Sequence, residues 1–336
     1  MSEVVPYDAI LLVSFGGPEG PDDVVPFLEN VTRGRGIPRE RLEQVGAHYK
    51  LFGGKSPIND QCRALLADLK VALAGAGIDL PVYWGNRNWD PMLEDTIGDM
   101  ADDGVEHALA FVTSATSSYS GCRQYREDIE RAREAVGDDA PKVDKIRQYY
   151  DHPGFIEPMI DNTRRALEEA PMGSRLVFTA HSLPLSMAST SDYEAQLREA
   201  ARLVAEGVGE AEWDLVWQSR SGPAQMPWLE PDINDHLEAI GPDASGVVMV
   251  PIGFISDHME VIYDLDTEAA ATCRTLGLPF VRAATVGTDE RFVTMIVDLV
   301  EERRRGVAPK ALGSLAVRPD FCLADCCPQP QRPPAR

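Results

Sequence analysis

Residues 174–184, SRLVFTAHSLP, place a histidine directly behind a short apolar run. Leu176–Ala180 has the length and the aliphatic and aromatic content of a buried strand, and Pro184 ends any continuation of it. In open parallel sheets, ligands bind beyond the carboxyl ends of the strands. The stretch therefore predicts a buried strand that ends at a candidate site residue, His181.

Similar apolar runs recur along the chain, with segments of helical period between them. They are Ile10–Phe15, Val82–Trp84, Ala108–Val112, Leu215–Trp217, Val247–Phe254 and Phe280–Ala284. Between Asp60 and Ala74, apolar residues follow one another at spacings of three and four, which predicts a buried helix face that includes Cys62. Alternating strands and helices are typical of the α/β class, with parallel sheets.

The alternation runs twice. The strands predicted at Ile10–Phe15 and Leu176–Ala180 are each followed by a long polar or Gly- and Pro-rich stretch before the next helix. We therefore predict two similar Rossmann-like (chelatase-like) domains, residues 1–145 and 146–310, each a parallel sheet flanked by helices, with the active-site cleft between them. Residues 311–336 are predicted to form a cysteine-containing tail, disordered unless something ties it down.

Composition and net charge limit the classes of molecule that the protein is expected to bind. The chain has 336 residues and a formal net charge of -22, which disfavours nucleic acid and anionic lipid and favours a small-molecule substrate. No apolar run approaches the ~20 residues that a membrane span needs, and the beginning, SEVVPYDAI, lacks the basic start of a secretory signal. We expect a cytoplasmic protein without stable membrane insertion, and a monomer because the tail has no long extra helix.

A row of acids follows the strand predicted at Val247–Phe254. Glu260, Asp264 and Glu268 are spaced by four, which places them on one face of a helix that begins near Asp257. By pattern alone such a row is most often a solvated helix face, and a single histidine such as His181 is more often structural than catalytic.

Seven segments in order resemble the ferrochelatases, and the resemblance covers nearly the whole chain. They are LLVSFGGPEG (11–20), FGGKSPIN (52–59), PVYWGNRNWDP (81–91), QYRED (124–128), FTAHSLP (178–184), DLVWQSRSGPAQMPWLEP (214–231) and GFISDHMEVIYDLDTE (253–268). The resemblance implies an enzyme of haem biosynthesis that inserts Fe²⁺ into coproporphyrin III to give coprohaem. It also implies transient contact with neighbouring enzymes of that pathway.

The resemblance also implies roles for the residues noted above. His181 and Glu260 match the residues that contact the inserted metal, and Asp264 and Glu268 match an acidic path from the site to solvent. The chemistry suits these side chains, because two pyrrole protons must leave as iron enters. A neutral imidazole can accept a proton or bind iron, and carboxylates can relay protons outward.

The segment Phe27–Lys55 is basic, unlike the rest of the chain, and would attract an anionic ligand. By resemblance it is the lip of the tetrapyrrole cleft. Five residues match positions that contact the porphyrin: Phe15, Arg33, Tyr49, Ser56 and Tyr125. Relatives carry Tyr or Met in place of Phe15, whose ring cannot bind a metal. A basic lip suits the four propionates of coproporphyrin better than the two of protoporphyrin. A solvated loop with a chance excess of charge is the alternative.

Three of the six cysteines, Cys322, Cys326 and Cys327, lie close together in the tail, where no apolar pattern would bury them. Free thiols or metal ligands are expected in a reducing compartment. Resemblance to actinobacterial ferrochelatases implies a [2Fe-2S] cluster held by these three thiolates and one from the body of the fold, for which Cys122, in a turn at a helix start, fits best. A zinc site with the same ligands is the rival.

Other functions stay open. The first alternative is a protoporphyrin IX ferrochelatase that makes protohaem directly. There are three further hypotheses, since the same fold can serve several functions. They are a chelatase that inserts cobalt or nickel, a non-catalytic haem or metal carrier, and an electron-transfer protein.

Overall fold

The computed structural model describes residues 6–222, 225–241 and 243–330. Residues 1–5, Pro223, Ala224, Pro242 and residues 331–336 therefore lie outside the described part, among them two residues of the segment DLVWQSRSGPAQMPWLEP and the end of the tail. The chain divides into two compact units. Unit 1 takes its residues from 6–113, 125–146 and 296–307, and unit 2 takes its residues from 114–124, 147–295 and 308–330.

Unit 1 is built on a parallel sheet with the strand order β2-β1-β3-β4. Its strands are β1 (Ala9–Ser14), β2 (Val82–Asn86), β3 (His107–Val112) and β4 (Lys142–Lys145). Its helices are a 3₁₀ turn (Pro21–Asp23), α1 (Val24–Val31), α2 (Arg39–Lys50), α3 (Ile58–Gly75), α4 (Leu93–Asp102) and α5 (Gln124–Val136).

Unit 2 is built on a second parallel sheet with the order β6-β5-β7-β8. Its strands are β5 (Arg175–His181), β6 (Trp213–Gln218), β7 (Val247–Val250) and β8 (Phe280–Arg282). Its helices are α6 (Pro153–Glu169), α7 (Leu185–Ala188), α8 (Tyr193–Val208), α9 (Ile233–Ile240), α10 (Met259–Val261) and α11 (Ala270–Leu276), with π-helical turns at Tyr119–Arg123 and Ile262–Ala269. The last helix, α12 (Glu290–Arg305), contributes residues to both units.

The two sheets share one strand order, in which the first strand of each unit lies between the second and the third. All six residues of β1 are buried, as are the central five of β5. Strands that are buried on both faces need continuous apolar runs, which is why the sequence marks them so clearly. The prediction of two similar α/β halves with parallel sheets is confirmed. Among the described residues, no helix is long and apolar enough to cross a bilayer.

One strand was missed by the sequence analysis, and one was predicted too long. The strand β4 has the sequence KVDK, and its residues are exposed or half-buried, so no apolar run marks it. The strand predicted at Val247–Phe254 ends at Val250, because Pro251 has no amide proton for the ladder. The helix face predicted around Cys62 is confirmed, since this residue is buried on α3.

The described part of the tail contains neither helix nor strand, yet main-chain and side-chain hydrogen bonds tie it to the rest of unit 2. The amide of Leu312 donates to the carbonyl of Asp151 at 2.9 Å. The guanidinium of Arg147 donates to the carbonyl of Lys310 at 3.0 Å. The tail is thus tied to unit 2 at residues 310 and 312.

Candidate active site

His181 is the last residue of β5, at the carboxyl edge of the unit 2 sheet. Its ring Nδ1 lies 2.5 Å from the carbonyl oxygen of Ser182, which can only accept a hydrogen bond. The proton of a neutral ring must therefore be on Nδ1, which leaves the lone pair of Nε2 free to act as a base or a ligand. The structure thus leaves Nε2 of His181 available to accept a proton or to bind a metal.

The main chain around His181 is itself held on two sides. The phenol of Tyr193 donates to the His181 carbonyl at 2.9 Å, and the Ser182 amide donates to the Gln218 carbonyl at 2.8 Å. Burial and the nearby Glu260 carboxylate raise the pKa of Tyr193, so its phenol stays protonated and can donate. The imidazole is oriented through these backbone contacts.

Glu260 lies opposite His181. Its carboxylate Oε1 is 3.8 Å from His181 Nε2, and both side chains are partly exposed. The ring Nδ1 of His258 accepts from the Glu260 amide at 3.2 Å and so caps the start of α10. Burial lowers the pKa of His258, which keeps its ring neutral and able to accept that bond.

Asp264 is the most perturbed acid of this group. Burial raises its pKa from the ordinary 3.8 to about 7, and the nearby carboxylates of Glu260 and Glu268 add to the effect. The hydroxyl of Ser219 donates to it, as does the Gln218 amide at 3.3 Å. Ser219 has a left-handed backbone (φ 61°), a conformation that costs free energy and is concentrated at functional sites.

The acids do not form the α-helical row that their spacing predicts. Residues Ile262–Ala269 are π-helical, so each turn is wider than in an α-helix. Residues four apart still lie on nearly the same side, and the charges of Glu260 and Glu268 are close enough to act on Asp264. Glu268 is exposed and lies beside Tyr263, whose pKa is raised by burial and by the Glu268 carboxylate.

The predicted porphyrin contacts all lie in unit 1. The ring centroids of Phe15 and Phe27 lie 6.2 Å apart, and those of Phe27 and Tyr49 lie 6.1 Å apart. Both pairs pack edge to face. Ser56 is buried, with its amide bonded to the Pro18 carbonyl. Arg33 is exposed and donates to the Asn30 side chain at 2.6 Å.

Sequence reasoning missed Arg87, which joins two of these positions. Its guanidinium lies 5.7 Å from the ring centre of Phe15 and 4.4 Å from that of Tyr125. It forms a buried ion pair with Asp128, so both charges are compensated inside unit 1. The signal was available, because Arg87 directly follows β2 and so lies at the carboxyl edge of its sheet. Gln218 and Ser219 were missed in the same way at the end of β6.

Of the cysteines, Cys62 and Cys273 are buried on α3 and α11, and burial raises the pKa of each thiol to about 11. Cys326 Sγ lies 3.7 Å from Cys327 Sγ. Burial, followed by the effects of the Cys326 and Cys122 thiols, raises the pKa of Cys327 to about 12. Within the described ranges, no three ligating side chains are close enough to hold a metal ion as they stand.

Comparison with solved structures defines the class of fold. The structure entitled "SirB from Bacillus subtilis with Fe3+" aligns with a TM-score of 0.55 and 12% identity, over 90% of this chain and 97% of that one. At this identity the likeness concerns the fold alone, which is that of the chelatases. A sequence model of the family Ferrochelatase matches residues 7–304. The chain belongs to the ferrochelatase family.

Curated relatives align with this chain over almost their full lengths. The chain is 55% identical to "Ferrochelatase" of Rhodopirellula baltica, over 99% of this chain and 97% of that protein. It is 55% identical to "Coproporphyrin III ferrochelatase" of Streptomyces coelicolor (96% and 94% covered) and 54% identical to that of Nocardia farcinica (98% and 98%). Membership of this family argues against the reading as a cobalt or nickel chelatase.

Proposed function

We propose that this enzyme inserts ferrous iron into coproporphyrin III to give coprohaem. The observation that carries the proposal is the pair of His181, at the end of β5, and Glu260, on α10. His181 presents an unprotonated Nε2 to the Glu260 carboxylate at 3.8 Å, and the half-buried Asp264 lies close to Glu260, since the Gln218 amide contacts both residues. Relatives named coproporphyrin III ferrochelatase at 54–55% identity support this substrate.

The reaction releases two protons for each iron that enters. The free macrocycle carries two pyrrole N–H groups, and Fe²⁺ replaces both protons. The lone pair of His181 Nε2 can accept a proton from a pyrrole nitrogen, because Nδ1 is bound to the Ser182 carbonyl. This histidine acts as the base in the proposed mechanism.

The acids serve the metal and the outgoing protons. The Glu260 carboxylate can bind Fe²⁺, a cation that accepts both imidazole and carboxylate ligands, and displace water from it. Asp264, with a pKa of about 7, can take up and release a proton near neutral pH. Glu268, which is exposed, leads from Asp264 towards solvent. The proposed proton route is therefore His181 or Glu260, then Asp264, then Glu268.

A substitution of Arg33 tests whether the enzyme prefers coproporphyrin III to protoporphyrin IX. Its exposed guanidinium can hold a propionate, and coproporphyrin III has four propionates where protoporphyrin IX has two. We expect a higher kcat/KM for coproporphyrin III, and we expect Arg33→Gln to raise the KM for coproporphyrin III by roughly three- to tenfold. Steady-state insertion assays with both porphyrins measure this.

Arg39 provides the matched control for that experiment. It is exposed on the same basic segment, but it is paired with Glu29 and Glu43, each at 3.2 Å. Arg39→Gln should therefore leave both KM values unchanged. A preference of the wild-type enzyme for protoporphyrin IX would support the alternative that it makes protohaem directly.

The raised pKa of Asp264 predicts that this residue destabilises the fold. The ionised form is disfavoured in the folded protein, so stability falls as pH rises from the unfolded pKa, about 4, to the folded value of about 7. Asp264→Asn removes this cost and should stabilise the protein by roughly 1–2 kcal/mol near pH 8, and by less near pH 5.5. Urea denaturation at the two pH values measures it.

Asp266→Asn is the control, because Asp266 is paired with Arg282 at 2.5 Å on the same π-helical turn. It should destabilise the protein or leave its stability unchanged. An Asp264→Asn gain of equal size at both pH values would contradict a titrating carboxyl.

A [2Fe-2S] cluster held by Cys122, Cys322, Cys326 and Cys327 is part of the proposal. The donor set fits in kind, because four thiolates are the usual ligands of such a cluster. Hydrogen-bond donors lie near the sulfurs: the Gln148 amide donates to Cys122 Sγ at 2.8 Å, and the Arg318 guanidinium lies 3.9 Å from Cys326 Sγ. When bound, a cluster would supply one-electron redox chemistry or would pin the tail.

A further inference from the structure

The first two turns of α8 connect three parts of unit 2. Three residues, Asp192 at the N-cap, Gln196 and Glu199, are spaced by four and three and so lie along one stripe of the helix. Tyr193 lies beside this stripe. Together the four side chains contact three segments outside the helix.

Two of the contacts reach the tail. Asp192 pairs with Arg318 at 2.5 Å. Glu199 accepts from the Ser314 amide at 2.5 Å and from the Ser314 hydroxyl at 2.9 Å. Its bonds to Arg202 and Ser314 lower the pKa of Glu199 to about 2, so it holds the tail as a carboxylate. Charge-assisted bonds of this kind are stronger than neutral ones.

A third contact reaches the segment that carries Cys122. Gln196 Oε1 accepts from the amide of Ser117 at 2.7 Å and from its hydroxyl at 3.0 Å. The next residue, Ser118, caps the π-helical turn that contains Cys122 by accepting from the Gly121 amide at 2.8 Å. The start of α8 is therefore bound both to the tail and to the segment that carries Cys122, the proposed partner of the tail cysteines.

The fourth contact reaches His181. The hydroxyl of Tyr193 donates to the His181 carbonyl, and its ring packs on Trp217 with centroids 5.9 Å apart. The His181 ring is bound to the next carbonyl, that of Ser182. Any shift of the 181–182 backbone therefore moves the imidazole as well. At the other end, α8 is fixed to α6 through a bond from Arg164 to the Gly207 carbonyl at 3.1 Å.

We propose that α8 couples the tail to His181, with Tyr193 as a positioning residue for iron insertion. The tail holds the first two turns of α8 where the Tyr193 hydroxyl reaches the His181 carbonyl, and release of the tail lets the imidazole turn away from Glu260. This inference rests on the proposed function, but its structural part can be measured separately.

The experiment compares Tyr193→Phe with the double variant Asp192→Asn/Glu199→Gln in the full chain. Tyr193→Phe removes only the hydroxyl, whereas the double variant weakens the contacts that α8 makes with Arg318 and Ser314 of the tail. Both should lower kcat for insertion roughly fivefold, the effect of one lost hydrogen bond, with the Kd for porphyrin unchanged. Both should also shift the ¹⁵N signals of the His181 ring, one of six histidines, which are assigned by their loss in His181→Ala.

Glu194→Gln is the matched control, since Glu194 is on the same helix but pairs with Arg198 of that helix on the exposed side. It should change neither kcat nor the His181 signals. Limited proteolysis after residue 307 should show faster cleavage of the tail in the double variant alone.

Unchanged His181 signals in Tyr193→Phe would overturn the role of Tyr193. A double variant whose tail stays protected, or whose tail is released without any change at His181, would overturn the coupling. If the wild-type protein inserts no iron, the proposed function fails, while the His181 signals still report on the coupling.

Discussion

Replacing His181 by alanine should lower the rate of iron insertion by about 10²–10⁴-fold and leave the affinity for porphyrin nearly unchanged. The loss follows from the geometry, because Nε2 is the acceptor that faces Glu260. Alanine removes both the proposed base and a proposed metal ligand. Stopped-flow absorption follows insertion, and quenching of porphyrin fluorescence gives the Kd.

His236→Ala is the control for this experiment. His236 is also in unit 2, but its ring lies 3.4 Å from Asp214, at the first residues of β6 rather than at the end of that strand. The His236→Ala variant should insert iron at close to the wild-type rate. An unchanged insertion rate in His181→Ala would refute the assigned role and would favour a non-catalytic carrier.

Replacing Cys122 by serine should abolish the visible iron–sulfur absorption and the acid-labile sulfide of iron-replete protein. Cys122 is buried, and its thiol contributes to the raised pKa of Cys327, so this substitution removes one of the four proposed thiolate ligands. A cluster that needs four thiolates is not retained by three. Absorption spectra and sulfide analysis of anaerobically purified protein measure the loss.

Cys273→Ala is the matched control, because Cys273 is fully buried on α11 and is not among the proposed ligands. It should keep the absorption and the sulfide. If the wild-type protein contains zinc in place of iron and sulfide, the rival zinc site replaces the cluster in this account.

The fold could be predicted from the sequence because its central strands are buried on both faces. Continuous apolar runs at Ile10–Phe15 and Leu176–Ala180 follow directly from that burial, and the strand order found in one unit recurs in the other. The edge strand β4 lacks this burial, so its four residues KVDK gave no signal. The π-helical turn at Ile262–Ala269 also escaped prediction, because its residue spacing suits an α-helix equally well.

The candidate site could be predicted only in part. His181 was found from its place at a strand end, and the acids from their spacing, while their roles came from the resemblance to ferrochelatases. Tyr193 was not found, because its contact with the His181 carbonyl depends on how α8 packs against β5. Arg87 could have been found from its place at the end of β2, but its contacts with Phe15 and Tyr125 could not. Such contacts are tertiary and leave no pattern in the local sequence.

Anaerobic insertion of ferrous iron into coproporphyrin III by the purified wild-type protein tests the central claim most directly. The account predicts that the absorption of the free porphyrin is replaced by that of coprohaem, at a rate proportional to enzyme and faster than with protoporphyrin IX. Binding of coproporphyrin III without any insertion of iron would contradict it.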